Sequence, residues 1–232
     1  MPTFITRPET GGPHPVVIFY MDAPGIREEL YDLCRRVATV GYYAMLPNLY
    51  YRNGGPSFAT GDKRTVSESR AMFAQMEALS NAAIIEDTRA LLDYAAADPD
   101  AADGPKGCIG YCMGGQFVAT AGGTFADHFR AVISLHGVRM LTDQPDSPHK
   151  LFSRLQGEQY FAFAENDTWV PLEEVAAIRA ELEKQNARAL VEVHPGTEHG
   201  FVFPQRYCYH KQEAERSWER IFPLLQRQLK PA

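Results

Sequence analysis

Apolar positions in this chain come in short solid blocks, separated by stretches where they recur every three or four residues. Residues 16–21, Val-Val-Ile-Phe-Tyr-Met, form one such block, the pattern of a strand covered on both faces in a parallel sheet. Asp22-Ala23-Pro24-Gly25 ends it. Over residues 27–40 the apolar side chains Leu30, Leu33, Cys34 and Val37 fall on one helical face, and Gly41 supplies a stop. Residues 42–46 predict the next strand. Strand, helix and strand of these lengths make a βαβ crossover, so the sheet is expected to be mainly parallel with helices on both faces.

Residues 47–64 carry Asn48, Asn53, Gly54, Gly55, Pro56 and Gly61, which predicts a loop long enough to serve function. Its Tyr50 and Tyr51 are candidates to line a pocket, or simply to cover the end of the sheet. Helices are predicted over 66–79, 81–97, 113–121 and 172–186, the last with Pro171 at its start, where proline is best tolerated. Strands are predicted over 107–110, 131–135, 159–164 and 190–194. An amphipathic helix over 212–229, with Trp218, Ile221, Phe222, Leu225 and Leu229, is expected to be interrupted at Pro223. The sum is a doubly wound α/β domain spanning residues 1–232.

Composition narrows the function. At 232 residues and 45% hydrophobic content the chain can bury one sizeable core. Its 23 basic and 29 acidic residues give a net charge of −6 without a Lys/Arg stripe, which argues against nucleic acid or an anionic membrane as partner. No apolar run reaches membrane-spanning length, and the first ten residues hold prolines where a signal peptide would be apolar. A cytoplasmic location is expected. Four scattered cysteines, Cys34, Cys108, Cys112 and Cys208, suggest neither a disulfide framework nor a metal site, and three of them are expected to be small core residues.

The remaining cysteine sits in Gly110-Tyr111-Cys112-Met113-Gly114, the spacing of a nucleophile elbow, in which a strand turns sharply into a helix and the central side chain projects from the bend. Glycines two positions either side relieve collisions that the bend imposes. At a helix start, free N–H groups and the helix dipole favour a thiolate, so cysteine suits the position.

In an open parallel sheet, ligands bind beyond the carboxyl ends of the strands, and two further residues fall there in the required order. Asp167 follows the 159–164 strand and His199 follows the last, at separations of 55 and 32 residues along the chain. Nucleophile, acid and base in that order is the α/β-hydrolase arrangement. Glu165 is a rival for the acid, and His136 also follows a strand but precedes Asp167. In this reading Cys112 attacks a carbonyl, His199 moves the proton and Asp167 orients the ring. The oxyanion needs two N–H donors, assigned to Met113 and Ala23, with Gly25 second to Ala23 because Pro24 has none.

These residues resemble the dienelactone hydrolase family of α/β-hydrolases: the elbow with Gly115, Asp167 followed by Val170-Pro171, His199-Gly200-Phe201, and Asp22 to Gly25 after the first strand. The resemblance implies an α/β-hydrolase fold without a separate cap domain, and hydrolysis of a dienelactone's enol-lactone through a Cys-His-Asp triad and an acyl-enzyme. It implies a small lactone or ester substrate carrying a carboxylate, a place in aromatic degradation, and neither metal nor organic cofactor. Asp22 stands where the family has a glutamate that activates the thiol, and is one methylene shorter. Arg70 and Arg206 are the nearest candidates for the family's carboxylate-binding arginines. The edge strands that open many members are expected to be reduced or missing. Two other readings stay open: a broader ester or thioester hydrolase with Tyr50, Tyr51 and Phe203 shaping an acyl pocket, and a silent binding protein that keeps the fold.

Overall fold

In the computed structural model, which describes residues 1–60 and 64–230, one seven-stranded sheet carries the chain. The strands are β1 (Thr3–Thr6), β2 (Val16–Tyr20), β3 (Tyr43–Pro47), β4 (Lys106–Tyr111), β5 (Phe129–Leu135), β6 (Glu158–Ala164) and β7 (Ala189–His194). Their order is β1-β3-β2-β4-β5-β6-β7. Only β1 runs antiparallel to its neighbour. The strands that read as solid apolar blocks are the central ones. All five residues of β2 are fully buried, as covering by helices on both faces requires.

The helices are α1 (Glu28–Ala38), α2 (Val66–Glu77), α3 (Asn81–Ala97), α4 (Met113–Thr124), α5 (Leu172–Lys184) and α6 (Lys211–Leu229). Two glycines of β4 show the layering. A side chain at Gly107 would run into Leu225 and Leu229 of α6, and one at Gly110 would run into Gly114 and Val118 of α4. Those positions lie on opposite faces of the strand. Local signals set the helix starts. Thr65 and Glu68 form a reciprocal capping box at α2, and the Ser80 hydroxyl accepts from the Ala83 N–H at α3.

The opening edge strands, expected to be reduced or missing, are reduced to one, β1, which has no apolar block of its own because only one side is paired, and which takes its register from β3. Residues 148–154, for which the sequence pattern predicts no element, form a 3-10 helix. The last helix is not interrupted: α6 continues through Pro223. Pro223 and Glu219 lie on the exposed face, where water can serve the carbonyl that loses its N–H partner. Among the described residues no helix is long and apolar enough to cross a membrane.

Candidate active site

Between β4 and α4 the chain turns at Cys112, which has φ 53° and ψ −115°, a conformation a side chain adopts only under constraint, at a cost of roughly 1–3 kcal/mol. The constraint is visible around it. The Cys112 N–H donates to Leu135 O at 3.1 Å and its carbonyl accepts from Gly115 at 3.0 Å and Val138 at 3.1 Å. A methyl at Gly110 would strike Gly114 O, one at Gly114 would strike Tyr20 O, and one at Gly115 would strike Gly137. The bend therefore exists only with glycines there, and it holds a partly exposed thiol at the positive end of α4.

The β6 and β7 loops are laced together by Glu165 N–H to His194 O at 3.2 Å and Asn166 N–H to Thr197 O at 2.9 Å. That lacing brings Asp167 Oδ2 to 2.7 Å from His199 Nδ1. Asp167 Oδ1 accepts from the N–H groups of Trp169 at 2.8 Å and Val170 at 3.2 Å, so the buried carboxylate is fully engaged. Glu165 turns elsewhere, accepting from the Gly196 N–H. Burial works against charge on His199, yet the neighbouring Cys112 sulfur and the Asp167 carboxylate outweigh it and push the ring up to about 10. Its Nε2 is buried without a well-aligned hydrogen bond; the thiol is near enough to shift the ring, in the loose geometry common in ligand-free sites. His136 packs edge-on against His199 at 4.8 Å between centroids. Its burial, with the charges of His199 and Arg206, drives its own pKa far down and keeps it neutral.

Ala23 lines the same cavity as Cys112 and His199. Among the described residues neither the Ala23 N–H nor the Met113 N–H donates to another protein group, whereas the Gly25 N–H is taken by Asp22 O at 3.0 Å. Tyr50, a candidate either to line a pocket or to cover the end of the sheet, is absent from the cavity lining and buried, its hydroxyl donating to Ala23 O at 2.8 Å. Tyr51 donates to Asp87 at 3.0 Å and likewise stands outside the cavity lining.

Asp22 has other partners than a thiol. It is fully buried and both oxygens face guanidinium groups, Arg27 at 2.5 and 3.1 Å and Arg206 beside it. Burial alone would raise its pKa, but Arg27 and Arg206 hold the carboxyl below its ordinary range. No hydrogen bond joins Asp22 to Cys112. Phe203, a proposed acyl-pocket residue, is buried against both arginines, whose guanidinium carbons lie 4.8 and 4.3 Å from its ring centre. This cluster ties the loop holding Ala23 to the loop that follows His199.

The cavity is about 540 Å³. Of the arginines expected there, Arg206 lines it. Arg70 is exposed and outside the lining, because two residues along α2 place it roughly opposite the inward-facing Met72. Arg64 lines the cavity instead; among the described residues its hydrogen bonds go to Ser69 Oγ at 3.0 Å, Ala59 O at 3.4 Å and Met72 Sδ at 3.0 Å. Cys208, expected in the core, also lines the cavity, its thiol donating to His199 O at 3.2 Å. Met72, Phe73, Met76 and Trp169 complete a wall that sequence reasoning missed. The available signal was the helical spacing of 72, 73 and 76 next to a predicted functional loop. No cluster of three or more His, Cys, Asp or Glu among the described residues is arranged to hold a metal ion.

The sequence profile of the dienelactone hydrolase family matches residues 1–229. A Synechocystis protein named "Putative carboxymethylenebutenolidase" is 29% identical over 231 residues, covering 98% of this chain and 92% of its own. An Escherichia coli K12 protein of the same name is 29% identical, with 95% and 80% covered. Among solved structures, the Klebsiella pneumoniae protein described as "Putative Dienelactone Hydrolase" superposes with a TM-score of 0.85 at 24% identity, covering all of this chain and 93% of that one. That likeness makes the fold an α/β-hydrolase fold.

Proposed function

The chain belongs to the dienelactone hydrolase family, a family of carboxylic ester hydrolases, and from that membership we propose that it opens an enol-lactone or related ester through Cys112, His199 and Asp167. The observation that carries this reading is a strained thiol at the start of α4 sharing one cavity with an imidazole hydrogen-bonded to a buried carboxylate.

The Cys112 sulfur adds to the substrate carbonyl, and the oxyanion is met by the N–H groups of Ala23 and Met113. Each such donor typically lowers the barrier by about 3 kcal/mol, roughly a hundredfold in rate. As the carbonyl re-forms, the ester C–O bond breaks and the His199 imidazolium gives its Nε2 proton to the departing oxygen. A thioester on Cys112 results. Water then adds to that carbonyl, with His199 taking its proton, and expulsion of the sulfur frees the acid.

A carboxylated substrate suits the cavity guanidiniums Arg64, Arg139 and Arg206, whose forked donors match a carboxylate, although Arg139 is already paired with Glu77. Arg64 is the stronger candidate because Arg206 is shared with Asp22. The free cysteines suit a reducing compartment, and we place the protein in the cytoplasm. Comparing kcat/KM for a carboxylated enol-lactone with that for a neutral p-nitrophenyl ester tests the substrate assignment. A preference for the acid of tenfold or more, reduced in Arg64→Ala, supports it. Equal turnover, or a preference for the neutral ester, favours the broader esterase reading, which the apolar wall of the cavity also suits.

A further inference from the structure

The cavity is larger than opening a small carboxylated ring requires, and part of its wall is apolar. Its volume, about 540 Å³, falls in the range that encloses drug-sized ligands. One wall is built by α2 and by the loop after β6, with the Arg64 guanidinium at its edge against Met72 Sδ. Trp169 is 55% exposed, so its indole is not retained for the core. It packs on Phe73 of α2 at 5.7 Å between centroids, with the rings inclined by 39°. Met72 and Met76 of the same helix line the cavity beside them, and their unbranched thioethers adapt to apolar groups of differing shape.

Which part of a substrate meets this wall follows from the chemistry. The group that protonates the leaving oxygen must stand on the alcohol side of the scissile bond. That group is His199, and the Trp169 ring lies 6.4 Å from its centroid. The backbone that carries the indole is anchored as well, because the Trp169 backbone N–H donates at 2.8 Å to the same Asp167 carboxylate that orients His199. The oxyanion donors lie elsewhere, at Ala23 and Met113.

We propose that Trp169 and Phe73, backed by Met72 and Met76, form the alcohol-side subsite of this enzyme, and that it prefers esters of aryl or similarly bulky apolar alcohols. A lactone presents its enol arm to the same wall. The inference rests on the Cys112 reading above, and its test separates the two.

Acetate esters of phenol, 4-butylphenol and 2-naphthol keep the acyl group constant and the leaving-group acidity similar. The proposal predicts that kcat/KM rises about tenfold from phenyl to 2-naphthyl acetate, as the added buried apolar surface implies. In Trp169→Ala and in Phe73→Ala, on separate elements, that ratio is expected to fall to threefold or less, and Trp169→Phe to restore most of it. The phenyl butyrate to phenyl acetate ratio is expected to stay as in the parent protein. A parent ratio near one, or a ratio unchanged in both alanine variants, overturns the subsite while leaving the hydrolase intact. Equal turnover of these esters by Cys112→Ala and the parent overturns the Cys112 reading and the subsite with it.

Discussion

Asp167 and His199, 32 positions apart, meet with Oδ2 and Nδ1 at 2.7 Å. The contact depends on two loops laced by backbone hydrogen bonds, so the carboxylate is aimed before any substrate arrives. Asp167→Asn keeps the shape but no longer fixes the tautomer that points the reactive nitrogen at the thiol. Its kcat/KM for an aryl ester is expected to fall by about 10²- to 10⁴-fold, with the circular dichroism spectrum unchanged.

The His199 ring is pushed up to about 10 against its own burial, with the Cys112 sulfur the foremost of the groups that raise it. Nuclear magnetic resonance of ring-labelled protein is expected to show imidazolium at pH 8 in the parent. In Cys112→Ala the ring is expected to titrate at lower pH, because that partner is gone. The stability consequence has a definite sign. The folded state keeps a proton that an unfolded imidazole releases near pH 6.5. The contribution is therefore fully present below about pH 6.5 and is lost as pH rises through about 10.

Tyr50 does not touch the cavity, yet its hydroxyl holds Ala23 O at 2.8 Å. Tyr50→Phe leaves a buried carbonyl without that partner, which costs about 1–3 kcal/mol of stability. Looser placement of the Ala23 N–H is expected to lower kcat by roughly tenfold with KM within about twofold, since an oxyanion donor acts in the transition state.

At Gly114 an added methyl would collide with the Tyr20 and Met21 carbonyls of the neighbouring strand's end. Backbone cannot yield there as a flexible side chain would. Gly114→Ala is expected to destabilise by about 3 kcal/mol or more, seen as a large fall in Tm or as insoluble protein.

How much of this was legible in the sequence depended on whether the cause was local. β2 announces itself because burial on both faces demands unbroken apolar residues, and the elbow after β4 because its bend demands glycines at fixed offsets. Asp167 and His199 could be picked out because strand ends are where an open parallel sheet places its chemistry. β1 was illegible, since an edge strand of Thr-Phe-Ile-Thr owes its existence to β3. The partners of Asp22 were equally hidden: Arg206 is 184 positions away, and only the folded chain shows that the carboxylate serves two arginines. The same holds for Cys208 and Arg64, which enter the cavity through irregular segments with no periodicity to reveal a facing side.

Intact-protein mass spectrometry of the parent and Cys112→Ala proteins, quenched in acid during turnover of an aryl ester, tests the central claim most directly. A transient mass increase equal to the acyl group, mapped to Cys112 and absent from the variant along with at least 10³-fold of the activity, is the predicted result. Undiminished hydrolysis by Cys112→Ala, or an acyl group carried by a different residue, would contradict it.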